Sequence, residues 1–181
     1  MSQPANSEGF GPLRGVRVLD LGTMIAAPYG ASMLADFGAE VIKVEMPGSG
    51  DPSRDLLPRV EGYSVRWGGF SRNKKCVTIN LKSPAGRDLF LDLVRRSDLI
   101  IENFRPGTME KLGYGWEDLH PRFPRLIYAA CSGFGHTGPH ATRPAYDMVV
   151  QAMGGIMSIT GQPGGEPTRV GLSIGDLAAG L

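Results

Sequence analysis

Short β-branched apolar runs alternate along this chain with longer segments whose apolar residues recur at helical spacing. "GVRVLDLG" predicts a first strand from Val16 to Asp20. "APYGASMLADFGA" follows: Pro28 suits a helix start, Met33, Leu34 and Phe37 form an apolar stripe, and Gly38 ends it. "EVIKVE" predicts a second strand from Glu40 to Glu45, and strand–helix–strand at this spacing is a βαβ unit with parallel strands. From Met46 to Lys75 no clean period survives among many glycines, prolines and arginines, so the stretch reads as one irregular excursion of the kind that carries function or faces a partner. "CVTINL" is the next strand. In "SPAGRDLFLDLVRRS", Ser83 is the expected N-cap, Pro84 the first helical residue, and Leu89, Phe90, Leu93 and Val94 the apolar face. "DLIIENF" and "RLIYAACSGFG" read as strands. "RPGTMEKLG", ending at Gly113, and "GWEDLHPRFP" read as short helices, and "AYDMVVQAMGG" and "SIGDLAAGL" as helices.

This alternation predicts an α/β domain, a mostly parallel sheet with helices on both faces. Ligands collect at the carboxyl ends of such strands, so chemistry is expected in the loops after Asp20, Glu45, Asn80, Glu102 and Ala130. Residues 1–14 read as a flexible leader and 15–181 as the domain.

Composition narrows the function classes. Nineteen basic against eighteen acidic residues give a net charge of +1, which argues against a general nucleic-acid binder. No apolar run reaches the roughly 20 residues a bilayer span needs, and the N-terminus lacks a secretory signal. Cys76 and Cys131, without CxxC spacing, read as reduced, partly buried thiols in a cytoplasmic protein. His136 and His140 in "HTGPH" lack a carboxylate or cysteine to complete a shell, so no metal is expected. GxGxxG after the first strand, GxxxxGK[ST] and GxSxG are all absent. "RWGGFSRNKK" is locally basic, through Arg66, Arg72, Lys74 and Lys75, and reads either as a solvated surface or as a phosphate clamp.

Seven stretches in series resemble one family: "LRGVRVLDL", "ADFGAEVIKVEMPGSGDPSR", "FSRNKKCVTINLKSPAG", "LIIENFRPGTMEKLGYGWEDL", "RLIYAACSGFGHTGP", "RPAYDMVVQAMGG" and "GDLAAG". The chain is similar to the N-terminal part of a class III coenzyme A transferase, a group that includes formyl-CoA and carnitine–CoA transferases and the α-methylacyl-CoA racemases. The resemblance implies a Rossmann-like large domain, a second domain and a C-terminal return beyond this chain, and an interlocked homodimer at full length. It implies acyl-CoA and carboxylic acid substrates, with coenzyme A as substrate and product.

It also implies roles for particular residues. Asp176 of "GD" is the matching nucleophile, forming a mixed anhydride and then an aspartyl-CoA thioester, with backbone N–H groups at the helix start holding it ionised. Read without the family, Asp176 is better read as a helix N-cap than as a nucleophile. Tyr146 and Asp147 stand where the racemases carry their catalytic histidine, which favours transfer over proton abstraction, since tyrosine is a poor base at neutral pH. Ile25 and Ala26 match the acyl-contacting loop, though several transferases carry glutamine at the former, and Met46 replaces an arginine of the formyl-CoA enzyme. Ile79, Asn80, Leu81 and Lys82, then Asn103, Phe104, Arg105 and Lys111, match the nucleotide-binding segments, with Lys111 replacing a common arginine. Arg72, Lys74 and Lys75 suit the 3′-phospho-ADP end by charge. A racemase of 2-methylacyl-CoA and a non-catalytic CoA-binding fragment are the alternatives.

Overall fold

The computed structural model describes residues 10–181. In chain order the elements are β1 Arg17–Asp20, α1 Ala26–Asp36, β2 Glu40–Glu45, β3 Arg59–Val60, β4 Tyr63–Ser64, α2 Val65–Ser71, β5 Lys74–Thr78, α3 Pro84–Arg95, β6 Leu99–Glu102, α4 Thr108–Leu112, α5 Trp116–Leu119, β7 Ile127–Ala130, α6 Asp147–Met153 and α7 Ile174–Gly180. Five strands form a wholly parallel sheet in the order β5-β2-β1-β6-β7, and β3 and β4 make a separate antiparallel hairpin. Strand order reverses at β1, so the carboxyl ends of β1 and β6 flank the topological switch point where such sheets bind ligands.

Side chains alternate across the sheet. Val18 and Val41 pack with Ala31 and Ala35 of α1, while Leu19, Val44 and Ile100 pack with Phe90, Leu91 and Val94 of α3 and Met109, Tyr114 and Leu119 beyond it. Helices therefore cover both faces, as the alternation predicted.

The helices rotate differently from their predicted stripes. On α1 the buried residues are small, among them Ala27, Gly30, Ala31 and Ala35, whereas Met33 and Leu34 are only half-buried and Phe37 is 50% exposed. The cause is that α1 lies between the sheet and α7. A Cβ on Gly30 would come within 2.8 Å of the Gly180 carbonyl oxygen, and one on Gly180 within 2.7 Å of the Ala26 oxygen, so only glycine permits this crossing. On α3, Phe90 meets the Tyr114 ring at 4.7 Å and sets the rotation, leaving Leu89 exposed. Ser83 does cap α3, accepting from the Gly86 N–H, with Pro84 as its first residue.

The stretch expected as an irregular excursion is ordered. Asp51 caps a 3-10 turn at Pro52–Asp55, the β3–β4 hairpin follows, and Ser64 caps α2 by accepting from the Trp67 N–H. Arg54 forks onto both Glu45 oxygens at 2.9 and 3.0 Å and stacks 3.8 Å over the Trp67 ring. β5 starts at Lys74, two residues before the expected Cys76, and Cys76 is exposed on this edge strand rather than partly buried. Of the leader expected over 1–14, residues 1–9 lie outside the described residues, while Leu13 donates to the Phe37 carbonyl and packs against the α1 core. Among the described residues, no helix is long and apolar enough to cross a membrane.

Candidate functional site

β1 ends in a charge. Asp20 and Lys43 are register partners on adjacent strands, and both point to the α1 face with no exposure. Lys74 of β5 reaches Asp20 at 2.7 Å and donates to the Pro28 carbonyl, and Lys43 lies 2.9 Å from Asp51. Two acids and two bases thus neutralise one another in the interior, the condition under which buried charge is tolerated. Burial works against charge on Lys74 and lowers its proton affinity despite Asp20. Burial also opposes the Asp51 carboxylate, but the Lys43 charge and the Ser53 donors outweigh it and hold the carboxyl below its ordinary range. The tetrad fixes the loop after β1: Asp20 accepts from the Gly22 N–H, Lys43 donates to the Gly22 carbonyl, and Asp51 accepts from the Met24 N–H. Asn103, after β6, completes the clamp by accepting from the Thr23 N–H at 2.8 Å and donating to its carbonyl at 2.9 Å.

Above this clamp opens a cavity of about 380 Å³, walled by Thr23 and Ala26, by Asn103, Phe104 and Arg105, by Cys131 and Ser132, and by residues of α6 and α7 that include Tyr146, Asp147 and Asp176. Asp147 is buried. Its Oδ1 accepts from the Gly175 N–H at 2.8 Å and its Oδ2 from Gln151 Nε2 at 2.7 Å, while Gln151 also accepts from the Val170 N–H. That network locks the start of α7 against α6 and holds Asp176 at the cavity wall. Burial pushes the Asp176 carboxyl above its ordinary value, and the Asp147 charge adds to the push. This corrects the expectation that helix N–H groups hold it ionised: the Gly175 N–H serves Asp147 instead. Tyr146 stands at the rim, 78% exposed.

A groove leads away along the sheet's carboxyl edge. A second space, of about 650 Å³, shares Thr23 and Phe104 with the first cavity and is walled by Met46, Ile79, Asn80, Leu81 and Lys82. A third, of about 680 Å³, shares Leu81 and Lys82 with it and gathers Lys82, Arg87 and Lys111. None of these three cations has a carboxylate partner among the described residues. Arg87 escaped the sequence reading. Its signal was its position, in the first turn of α3 just after Lys82, where it donates to the Leu112 carbonyl at 3.2 Å.

The other predicted basic residues lie elsewhere. Arg72 forks onto Asp36, Lys75 pairs with Glu40 at 2.8 Å, and Lys74 is buried in the tetrad. Each has a carboxylate of its own, so the structure does not bring this trio to the groove. Ile25 is the half-buried residue preceding α1 and does not line the cavity, while its neighbour Ala26 does.

Comparisons with known proteins agree with this geometry. The profile of CoA-transferase family III matches residues 13–181. A succinyl-CoA–D-citramalate CoA-transferase of Chloroflexus aurantiacus is 51% identical over 93% of the chain and 42% of its own length. An acetyl-CoA:oxalate CoA-transferase of Acetobacter aceti is 46% identical over all of the chain and 47% of its own length. The human succinyl-CoA:glutarate CoA-transferase is 42% identical over 94% of the chain and 39% of its own length. A solved CaiB/BaiF family protein from Brucella suis superposes with a TM-score of 0.87 at 41% identity, over 92% of the chain and 45% of that protein. The chain thus spans less than half the length of these curated relatives. On the profile, the identities and the shared parallel sheet, the chain belongs to CoA-transferase family III.

Proposed function

We propose that the protein carrying this chain moves coenzyme A between an acyl-CoA thioester and a free carboxylic acid, with Asp176 as nucleophile. The observation that carries this reading is a half-buried carboxyl at the switch-point cavity, joined through shared wall residues to three cations that lack a carboxylate partner among the described residues. The groove suits a ligand with an acyl end and a phosphorylated end. Ile79 to Lys82 and Phe104 line its middle, and Lys82, Arg87 and Lys111 meet the phosphates. Relatives named for succinyl-CoA or acetyl-CoA donors and for citramalate, oxalate or glutarate support short carboxylic acids as substrates.

The chemistry follows from a carboxylate in a partly dry cavity. One Asp176 oxygen attacks the thioester carbonyl, the C–S bond breaks, and CoA thiolate leaves a mixed anhydride. The thiolate attacks the aspartyl carbonyl of that anhydride, releasing the donor acid and leaving an aspartyl-CoA thioester. The acceptor carboxylate displaces CoA to form a second anhydride. The thiolate then attacks the acceptor carbonyl, which yields acceptor-CoA and restores Asp176. Exclusion of water preserves the activated acyl group through each step. Asp147 holds α7 in place and, as a like charge, makes the Asp176 carboxylate more basic. By its family resemblance, the whole protein is proposed to be an interlocked homodimer in the cytoplasm. Exposed Ile127, Met148 and Met153 support a further covering surface.

Incubation with acyl-CoA and hydroxylamine should inactivate the enzyme by converting Asp176 to a hydroxamate, visible as a mass change on its peptide. Asp176→Ala should lose transfer by at least about a thousand-fold. Full activity in that variant sinks the assignment.

A further inference from the structure

The cavity beside Asp176 holds donors that the transfer chemistry leaves unoccupied. Asn103 is consumed by its paired hydrogen bonds to Thr23, and Asp147 by Gly175 and Gln151. Arg105 also lines this cavity and has no carboxylate partner among the described residues, so it is a second cation on the opposite, β6 side. On the wall between β7 and α6 remain Arg143 and Ser132. The Arg143 guanidinium has no carboxylate partner among the described residues, and its recorded side-chain neighbour is the Phe134 ring, 5.5 Å away. The Ser132 hydroxyl oxygen is buried and makes no hydrogen bond.

We infer that Arg143 and Ser132 seat a second carboxylate on the acyl group, so that the cavity selects short dicarboxylic acids. The inference rests on the transferase reading above. A methyl-terminated acyl chain filling this cavity would leave the buried Ser132 hydroxyl unpaired, which is unfavourable, while the exposed Arg143 guanidinium would stay hydrated and gain nothing. A carboxylate satisfies them together: the guanidinium fork matches its two oxygens, and the hydroxyl donates to one of them. The aromatic ring beside Arg143 limits the directions the fork takes. Charge points the same way. Asp147 and Asp176 both face this cavity, and a second carboxylate entering beside them is repelled unless a cation receives it. The cavity's size, about 380 Å³, leaves room for a short acyl group rather than a long one.

Succinyl-CoA and butyryl-CoA separate this seat from the reacting centre. They share a four-carbon acyl skeleton and differ by a carboxylate in place of a methyl, and in neither is the reacting carbonyl charged. The measurement is kcat/KM for hydroxylamine-dependent CoA release by the native protein that carries this chain. Arg143→Ala should lower the succinyl-CoA value about 10- to 100-fold, as loss of a charge-assisted hydrogen bond does, and leave the butyryl-CoA value unchanged. Arg143→Lys should recover part of the loss, because the charge survives without the fork. Ser132→Ala should act in the same direction, more weakly. Equal losses for both thioesters in Arg143→Ala, or a wild type that prefers butyryl-CoA, overturn the inference and leave the transferase reading standing. No CoA release from either thioester by the wild type removes both.

Discussion

The carboxyl of Asp176 sits half-buried beside the Asp147 carboxylate, and burial first, then the Asp147 charge, raise its proton affinity above the ordinary 3.8. The proposed nucleophile acts in its ionised form. Trapping by acyl-CoA and hydroxylamine should therefore increase as pH rises through the raised pKa and disappear below it, with the acidic limb lying above 3.8. Asp147→Asn removes the like charge and keeps an oxygen to accept from the Gly175 N–H, at the loss of the Gln151 bond, so the limb should move to lower pH. A limb that does not move would show that the charge of Asp147 is not felt at Asp176. In the sequence the residue was singled out only because "GD" closes a series of family motifs. A lone aspartate at a helix start is more often a cap, but here Ser173 holds the cap position, Asp176 lies in the first turn, and the Gly175 N–H serves Asp147.

At the scale of elements, the position of Asp176 depends on how α7 crosses α1. The contact is built on Gly30 and Gly180, and an added methyl at Gly30 would meet the Gly180 carbonyl oxygen at 2.8 Å. Gly30→Ala should therefore lower stability by about 1–3 kcal/mol, as overpacking does, and reduce transfer as α7 shifts. Gly69→Ala is the contrasting change. Nothing lies within 4 Å of its added methyl inside α2, so the helix should gain about 0.5–1 kcal/mol, with transfer unaffected. Thermal melts of the two variants should move in opposite directions, and a common direction would contradict the packing argument. The same distinction explains what the sequence made legible. The βαβ unit, the Ser83 cap and the Gly113 stop depend on chemistry within a few residues, and all of them are found. α2 was hidden because Gly68 and Gly69 weaken its helical signal while Ser64 and the Arg54–Trp67 stack order it from outside. Lys74 was misread because its carboxylate partner lies 54 residues earlier, and Arg72 because Asp36 lies 36 residues earlier. A run of positive charge shows its sign but not which carboxylates the fold brings to it.

Across the whole molecule, the sheet's carboxyl edge joins two sites of opposite character, the acid cavity at the switch point and the cationic pocket formed by the turn after β5 with the first turns of α3 and α4. Asp176 belongs to the first site, and Lys82, Arg87 and Lys111 to the second. Because only Leu81, Lys82, Thr23, Phe104 and their neighbours connect them, a change in the second should alter binding while leaving the chemistry intact. Lys111→Ala or Arg87→Ala should raise KM for an acyl-CoA about tenfold, the size of one charge-assisted phosphate contact, with kcat nearly constant. The raised KM should grow closer to wild type as salt is added, because screening weakens the same contact in the unmodified enzyme. The decisive comparison uses the acyl-pantetheine thioester, which keeps the reacting end and lacks the nucleotide. If the cations bind phosphate, wild type and variants should handle this truncated substrate equally. If the variants remain impaired with it, Arg87 and Lys111 act through the packing of α3 and α4, and the groove is not the path along which the coenzyme lies.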